Sequence, residues 1–272
     1  MSTRPGRLVL LGHPVRHSLS PVLQNAALRA AGVPLTYEAL DVAPDELLTA
    51  LRTLAESWAA GNVTIPHKES VAELCTRRTP LADRVGAVNT FWFEDDGALV
   101  GDNTDVGGFD FLTRHVLGAI PSGVHVAVLG AGGGAAAVLT AISEWPDARV
   151  TLCSRTAERR ERLAARHPVV THTTSDSIDA VQDCAILVNT TPVGLTDDTM
   201  PLRVSALGPG TAVLDLVYRP GETALVRAAR ERGLLAGDGL RMLVEQGALA
   251  FERWLGQPAP RAAMWSAVCE NS

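Results

Sequence analysis

The chain predicts an α/β fold in two domains, the second doubly wound about a parallel sheet. Three observations carry this. The 272 residues exceed one small core, since a domain takes ~150 residues. Buried-type strands alternate with helices of ~10 residues, the pattern of βαβ units. A glycine-rich turn follows one strand at once and opens an alanine-rich helix.

The elements follow in order. Residues 7–12 read as a buried strand. Ser20 then suits an N-cap and Pro21 the first helical position. Val22, Leu23, Ala26, Ala27 and Ala30 share one face, and Gly32 ends the helix. A second strand spans 35–40 and a second helix 44–54. A short strand is expected at 62–65, with Pro66 able to open the next helix. Residues 85–93 and 98–101 read as a hairpin around Asp95-Asp96-Gly97. After a helix to about Leu117 and a loop over 118–123, residues 124–129 form a strand running into Gly130-Ala131-Gly132-Gly133-Gly134. Strands at 149–153, 184–189 and 212–216 and helices at 157–167 and 222–232 continue the alternation. Residues 234–236 read as an edge strand. From Asp238 the chain reads as two helices, with 256–260 between them.

Composition narrows the function. Hydrophobic residues make up 46%, charged 20% and aromatic 4%, so small aliphatics carry the core and disorder is excluded as the dominant state. The net charge of −6 leaves no basic surplus to release counterions from a nucleic acid. The run Leu8-Val9-Leu10-Leu11 falls far short of the ~20 residues that span a bilayer. Cys75, Cys153, Cys184 and Cys269 form no CxxC pair, which favours reduced thiols in a cytoplasmic protein. His13, His17 and His67 lack metal-ligand spacing, so no metal is expected. A G-x-S-x-G elbow is absent.

Two sets of residues carry chemistry. In the order strand, Gly130-x-Gly132-x-x-Ala135, helix, the first glycine permits the turn. The second lets a pyrophosphate approach the backbone, and the small third residue lets helix and strand pack closely. The next strand ends Cys153-Ser154-Arg155-Thr156 without the acid that would bind a ribose 2′-hydroxyl. Arg155 stands where a 2′-phosphate would sit, which favours NADP. Of the arginines that follow, Arg160 is expected on a solvated helix face. The second set gathers where first-domain strands end. It is rich in hydroxyls and amides, with one lysine and one aspartate, a set that suits a small polyhydroxylated acid.

With GHPVRHSLSP, NVTIPHK, GAVNT, GDNTDVGG, GAGGG, NTTPVG, DLVYRP and ML-x-x-QG-x-x-AF in one order, the sequence resembles the shikimate dehydrogenase family from Gly12 to about Gly256. The resemblance implies a substrate-binding catalytic domain of residues 1–103 plus 238–272 and a Rossmann domain of 104–237, with a cleft between them. It implies Lys68 and Asp105 as the catalytic pair and Ser18 and Ser20 as holders of the substrate carboxylate. Asn62, Thr64, Asn89 and Gln246 would bind ring hydroxyls or orient their neighbours, and Tyr218 would approach from the cofactor domain. Gly130, Ala131, Gly132, Gly133, Gly134, Ser154, Arg155, Thr156 and Arg159 would bind NADP, and Leu216 and Gly239 would border the nicotinamide. The implied reaction is reversible reduction of 3-dehydroshikimate to shikimate by NADPH, in a monomer or homodimer. Quinate or aminoshikimate dehydrogenase is the neighbouring alternative. A non-catalytic NADP-binding regulator is the alternative of another class, and retention of both Lys68 and Asp105 argues against it. The chain departs from the family pattern at Ser154, where Asn is usual, at Ala60, where Gly is usual, and at Arg241, where a small residue is common.

Overall fold

The computed structural model describes residues 5–270; the outermost residues of the expected substrate domain therefore lie outside the described residues. The chain divides into two compact units, one running to Asp105 and resuming at Leu243, the other Val106–Met242.

The first unit is built on a six-stranded sheet of order β2-β1-β3-β5-β6-β4. Its strands are β1 (Arg7–Gly12), β2 (Tyr37–Asp41), β3 (Ala59–Val63), β4 (Arg77–Arg78), β5 (Thr90–Phe93) and β6 (Leu99–Asp102), with helices α1 (Ser20–Ala30), α2 (Leu47–Glu56), α3 (Lys68–Leu74) and α4 (Pro80–Val85) between them. β1 pairs in parallel with β2 and β3, whereas β5 runs antiparallel to β3 and β6. Val9, Leu11, Leu51, Leu54, Val71 and Phe91 form the core on one face.

Helix α5 (Asp105–Leu117) leads into the second unit. There β7 (His125–Leu129), α6 (Gly133–Ile142), β8 (Arg149–Cys153), α7 (Ala157–Arg166), β9 (Val170–Thr174), α8 (Ser177–Ala180), β10 (Ile186–Asn189), β11 (Ala212–Asp215), α9 (Ala224–Glu231) and β12 (Ala236–Gly237) alternate. The sheet order is β12-β11-β10-β7-β8-β9, parallel throughout. Order reverses beside β7, so the glycine turn after β7 lies at the switch point where doubly wound sheets take their ligands. α10 (Leu240–Leu255) and α11 (Arg261–Cys269) close the chain. α11 packs on α1, and Gln24 Nε2 donates to the Gly247 carbonyl at 2.9 Å.

Several elements differ from the sequence reading. Ser20 is the first helical residue rather than the cap: Leu19 holds the cap position without a side-chain bond, and Ser18 Oγ accepts the Ser20 amide at 3.2 Å. The third strand begins three residues early, at Ala59. Small residues are required there, because a side chain on Gly61 would run into the Val9 carbonyl of the adjacent strand. Residues 80–85 form a helix that takes in Val85, the first residue of the expected hairpin, and the strand itself starts only at Thr90. Thr79 Oγ1 caps the helix by accepting the Ala82 amide, and Gly86 ends it in the left-handed region. The hairpin is thus confined to β5 and β6. β4 and β9 are edge strands whose exposed, polar residues give no burial pattern.

Candidate active site

Of the residues expected at the substrate site, Lys68, Asp105, Asn89, Asn62 and Gln246 are joined by hydrogen bonds inside the first unit; Ser18, Ser20 and Thr64 belong to the same unit outside this bonded set, and Tyr218 belongs to the second unit. Lys68 opens α3, and its Nζ donates to Asp105 Oδ2 at 2.6 Å. The Asp105 side chain is 6% exposed and that of Lys68 17%. Asp105 starts α5, where its amide donates to Asn103 Oδ1 at 3.1 Å; Asn103 therefore supplies the local cap, leaving the Asp105 carboxylate for other partners. Asn89 Nδ2 lies 2.8 Å from Asp105 Oδ1, so both carboxylate oxygens are held. The lysine ammonium keeps further N–H groups for a substrate oxygen.

Asn89 is the hub. Its Nδ2 also reaches Thr104 Oγ1 at 3.0 Å and Gln246 Oε1 at 3.2 Å, while its Oδ1 accepts the Thr104 amide at 2.7 Å. Gln246 Nε2 donates to the Leu243 carbonyl. Asn62 donates to the Asn89 carbonyl and accepts from the Tyr37 hydroxyl. Both asparagines are buried and largely spent on protein partners. Ser18, Thr64 and Lys68 are less enclosed, each half-buried. The Thr64 amide is fixed by the Leu11 carbonyl at 2.8 Å.

Sequence reasoning missed three supports. Thr104, within the GDNTDVGG motif, bonds Asn89 through both its hydroxyl and its amide. Tyr37 is one of two tyrosines in the chain, and a buried phenol needs a partner; that was the available signal. Asp102, also buried, accepts from Thr79 Oγ1 and from the Asn103 amide, and pairs with Arg253 Nε at 2.9 Å. It steadies the strand end from which Asp105 projects.

The expected cofactor residues lie in the second unit. Gly130 has φ of 113°, and a side chain there would strike Thr190 Oγ1, so the turn requires glycine. Its amide donates to the Cys153 carbonyl at 2.8 Å, joining the turn to the tip of β8. Gly132 precedes α6 with open space where a side chain would stand. A backbone cradle at the N-terminus of a ten-residue helix suits a pyrophosphate. Ala131 and Ala135 are buried, while Gly133 and Gly134 are partly exposed.

Ser154 is half-buried, and Arg155, Thr156 and Arg159 are exposed. Two exposed guanidiniums beyond β8, with no acid at its tip, fit a 2′-phosphate. Arg160 differs from expectation: it is half-buried, and its Nη1 donates to the Ser154 carbonyl at 2.6 Å, so it braces this tip. Leu216 and Gly239 meet, since a side chain on Gly239 would collide with the Leu216 carbonyl. Tyr218 follows β11 and is half-buried. Upstream, Asp215 accepts from Asn189 Nδ2, the Val217 amide and Thr223 Oγ1. Burial pushes its carboxyl up to about 6, against the pull of these bonds. Burial also raises Asp238, beside Arg230 and Arg241. Among the described residues no group of three His, Cys, Asp or Glu could hold a metal ion.

A doubly wound unit with an open glycine cradle and exposed arginines, joined to a unit carrying a lysine–carboxylate pair, defines the class of dinucleotide-dependent oxidoreductases. Comparisons with known proteins agree. A family model described as the shikimate dehydrogenase substrate binding domain matches residues 10–91, and one for the shikimate 5′-dehydrogenase C-terminal domain matches 239–269. The shikimate dehydrogenase (NADP(+)) of Methylobacterium radiotolerans is 44% identical over 269 residues, 96% of this chain and 95% of that protein. The crystal structure of shikimate dehydrogenase from Aquifex aeolicus superposes with a TM-score of 0.89 at 35% identity, covering 96% of this chain and 97% of that one. The Thermus thermophilus shikimate 5-dehydrogenase in complex with NADP(H) and shikimate gives 0.87 at 35% identity, covering 98% and 99%. The chain belongs to the shikimate dehydrogenase family.

Proposed function

We propose that this chain is an NADP-dependent shikimate dehydrogenase, which reversibly reduces 3-dehydroshikimate to shikimate. The observation that carries the reading is the ion pair between half-buried Lys68 and buried Asp105, held at 2.6 Å and fixed from its other side by Asn89. The family's NADP-linked relatives and the open cradle with Arg155 and Arg159 support the cofactor.

When bound, NADPH supplies a hydride to the substrate's carbonyl carbon. Lys68 donates an N–H to the carbonyl oxygen, which gains negative charge, and delivers a proton to it. Asp105 keeps the ammonium in place and accepts from a neighbouring substrate hydroxyl. The hydroxyls of Ser18 and Ser20 take the substrate carboxylate. Thr64 reads a ring hydroxyl, and Asn62, Asn89 and Gln246, their amides spent on protein partners, hold this set in register. Tyr218 contributes from the second unit. Gly130 to Gly134, Ser154, Arg155, Thr156 and Arg159 hold NADP, with Leu216 and Gly239 beside the nicotinamide. The enzyme is read as cytoplasmic, a monomer or homodimer; the free thiols of Cys75, Cys153, Cys184 and Cys269 support a reducing compartment.

A steady-state assay of purified protein tests this by crossing shikimate, quinate and aminoshikimate with NADP and NAD. Shikimate with NADP should give the highest kcat/KM. Preference for another ring acid moves the assignment to a sister activity. A negligible rate with every pair, despite NADP binding, defeats it.

A further inference from the structure

The first unit holds a cavity of about 390 Å³ that none of the expected substrate residues lines. Its volume falls in the range of small-molecule sites, about 300–1,000 Å³. Trp58, Trp92 and Trp254 line it together with Arg253, Glu94 and Asp96.

The wall offers three kinds of contact. Trp58 and Trp92 offer indole faces, which take an aromatic ring by stacking and attract a cation; Trp254 is buried and already stacked on Tyr37. Arg253 pairs through Nε with the buried Asp102, and its side chain is 57% exposed, so the rest of the guanidinium fork can meet a carboxylate. Glu94 and Asp96 share Arg77 as partner, two carboxylates to one guanidinium, a balance suited to an ammonium.

Trp58 is the outlier that singles the cavity out. It follows α2 at φ 51°, the left-handed position where a helix ordinarily ends in glycine. A bulky residue there is strained. Core packing does not explain it, because Trp58 is 38% exposed. Backbone strain combined with an exposed indole at a cavity wall is what a ligand contact would require.

We propose that this cavity binds a small aromatic zwitterion, an α-amino acid with an aromatic side chain. The ring stacks on the indoles of Trp58 and Trp92, the carboxylate pairs with Arg253 and the ammonium faces the acidic turn. The site is separate from the one that takes the ring acid.

Isothermal titration of the full chain tests this with L-phenylalanine and L-tryptophan, beside phenethylamine, phenylacetate and L-leucine. The aromatic amino acids should bind saturably, and each probe lacking the ring, the carboxylate or the ammonium should bind about tenfold more weakly. Trp58→Gly suits the left-handed backbone and should fold. It should weaken binding about tenfold while leaving shikimate oxidation unchanged. Four results would overturn the proposal: no heat up to about 10 mM, equal binding by Trp58→Gly, displacement by saturating shikimate, or a dimer that Trp58→Gly disperses, which would put a second copy over the cavity.

Discussion

The two units build their sites by opposite means. In the first, side chains hold one another: half-buried Lys68 and the buried Asp105, Asn89, Thr104, Gln246, Asn62 and Tyr37 form a connected hydrogen-bonded set. In the second, the candidate cofactor site rests on backbone and missing side chains, a glycine turn beside exposed arginines. The contrast follows from the ligands. Reading the hydroxyls of a small ring acid needs fixed side-chain donors and acceptors. A pyrophosphate is met by amide groups, and a 2′-phosphate by solvent-facing charge. Damage to the first site should therefore appear in the chemical step, and damage to the second in cofactor binding.

Lys68→Ala should produce the largest effect, a fall in kcat of about 10²–10⁴-fold with a smaller change in KM, since a positioned acid–base group is lost. Unchanged kcat in steady-state assays would remove the lysine from the chemistry. Gly130→Ala forces a side chain against Thr190 in a left-handed turn and should cost about 1–3 kcal/mol of stability while raising the KM for NADP; denaturant melts and saturation curves report both. Arg155→Ala should raise the KM for NADP about tenfold, as expected for one charge-assisted contact, with NAD kinetics and Tm unmoved.

A last effect concerns stability against pH and leaves the two ligand sites aside. The Asp215 carboxyl is raised to about 6 in the fold, against an ordinary value near 3.9 when unfolded. The native state thus holds the proton more tightly. Its contribution is complete below about pH 4 and is lost as pH rises from there through about 6, on the order of 3 kcal/mol. Asp215→Asn should flatten this part of the stability–pH profile, measured by denaturant unfolding between pH 4 and 7.

Much of the fold was legible because buried strands and amphipathic helices repeat with clear periods. The failures have local causes. β3 hides behind Ala59-Ala60-Gly61, residues chosen for close strand approach rather than strand propensity. α4 carries its own caps, Thr79 and Gly86, but the valines at 85 and 88 read as strand. The motifs delivered the candidate residues, including both partners of the Lys68–Asp105 pair. They did not deliver the bonding among them. Asn89 and Gln246 are 157 residues apart, and no local pattern encodes such a contact. Arg160 was misassigned because its target is a backbone carbonyl, invisible in side-chain spacing.

The central claim is that Lys68 and Asp105 act as one unit, and a double-mutant cycle on kcat tests it most directly. If the pair is a unit, Lys68→Ala with Asp105→Ala should lower kcat little more than the worse single substitution. Losses that multiply would mean that the two residues act independently and would contradict the account.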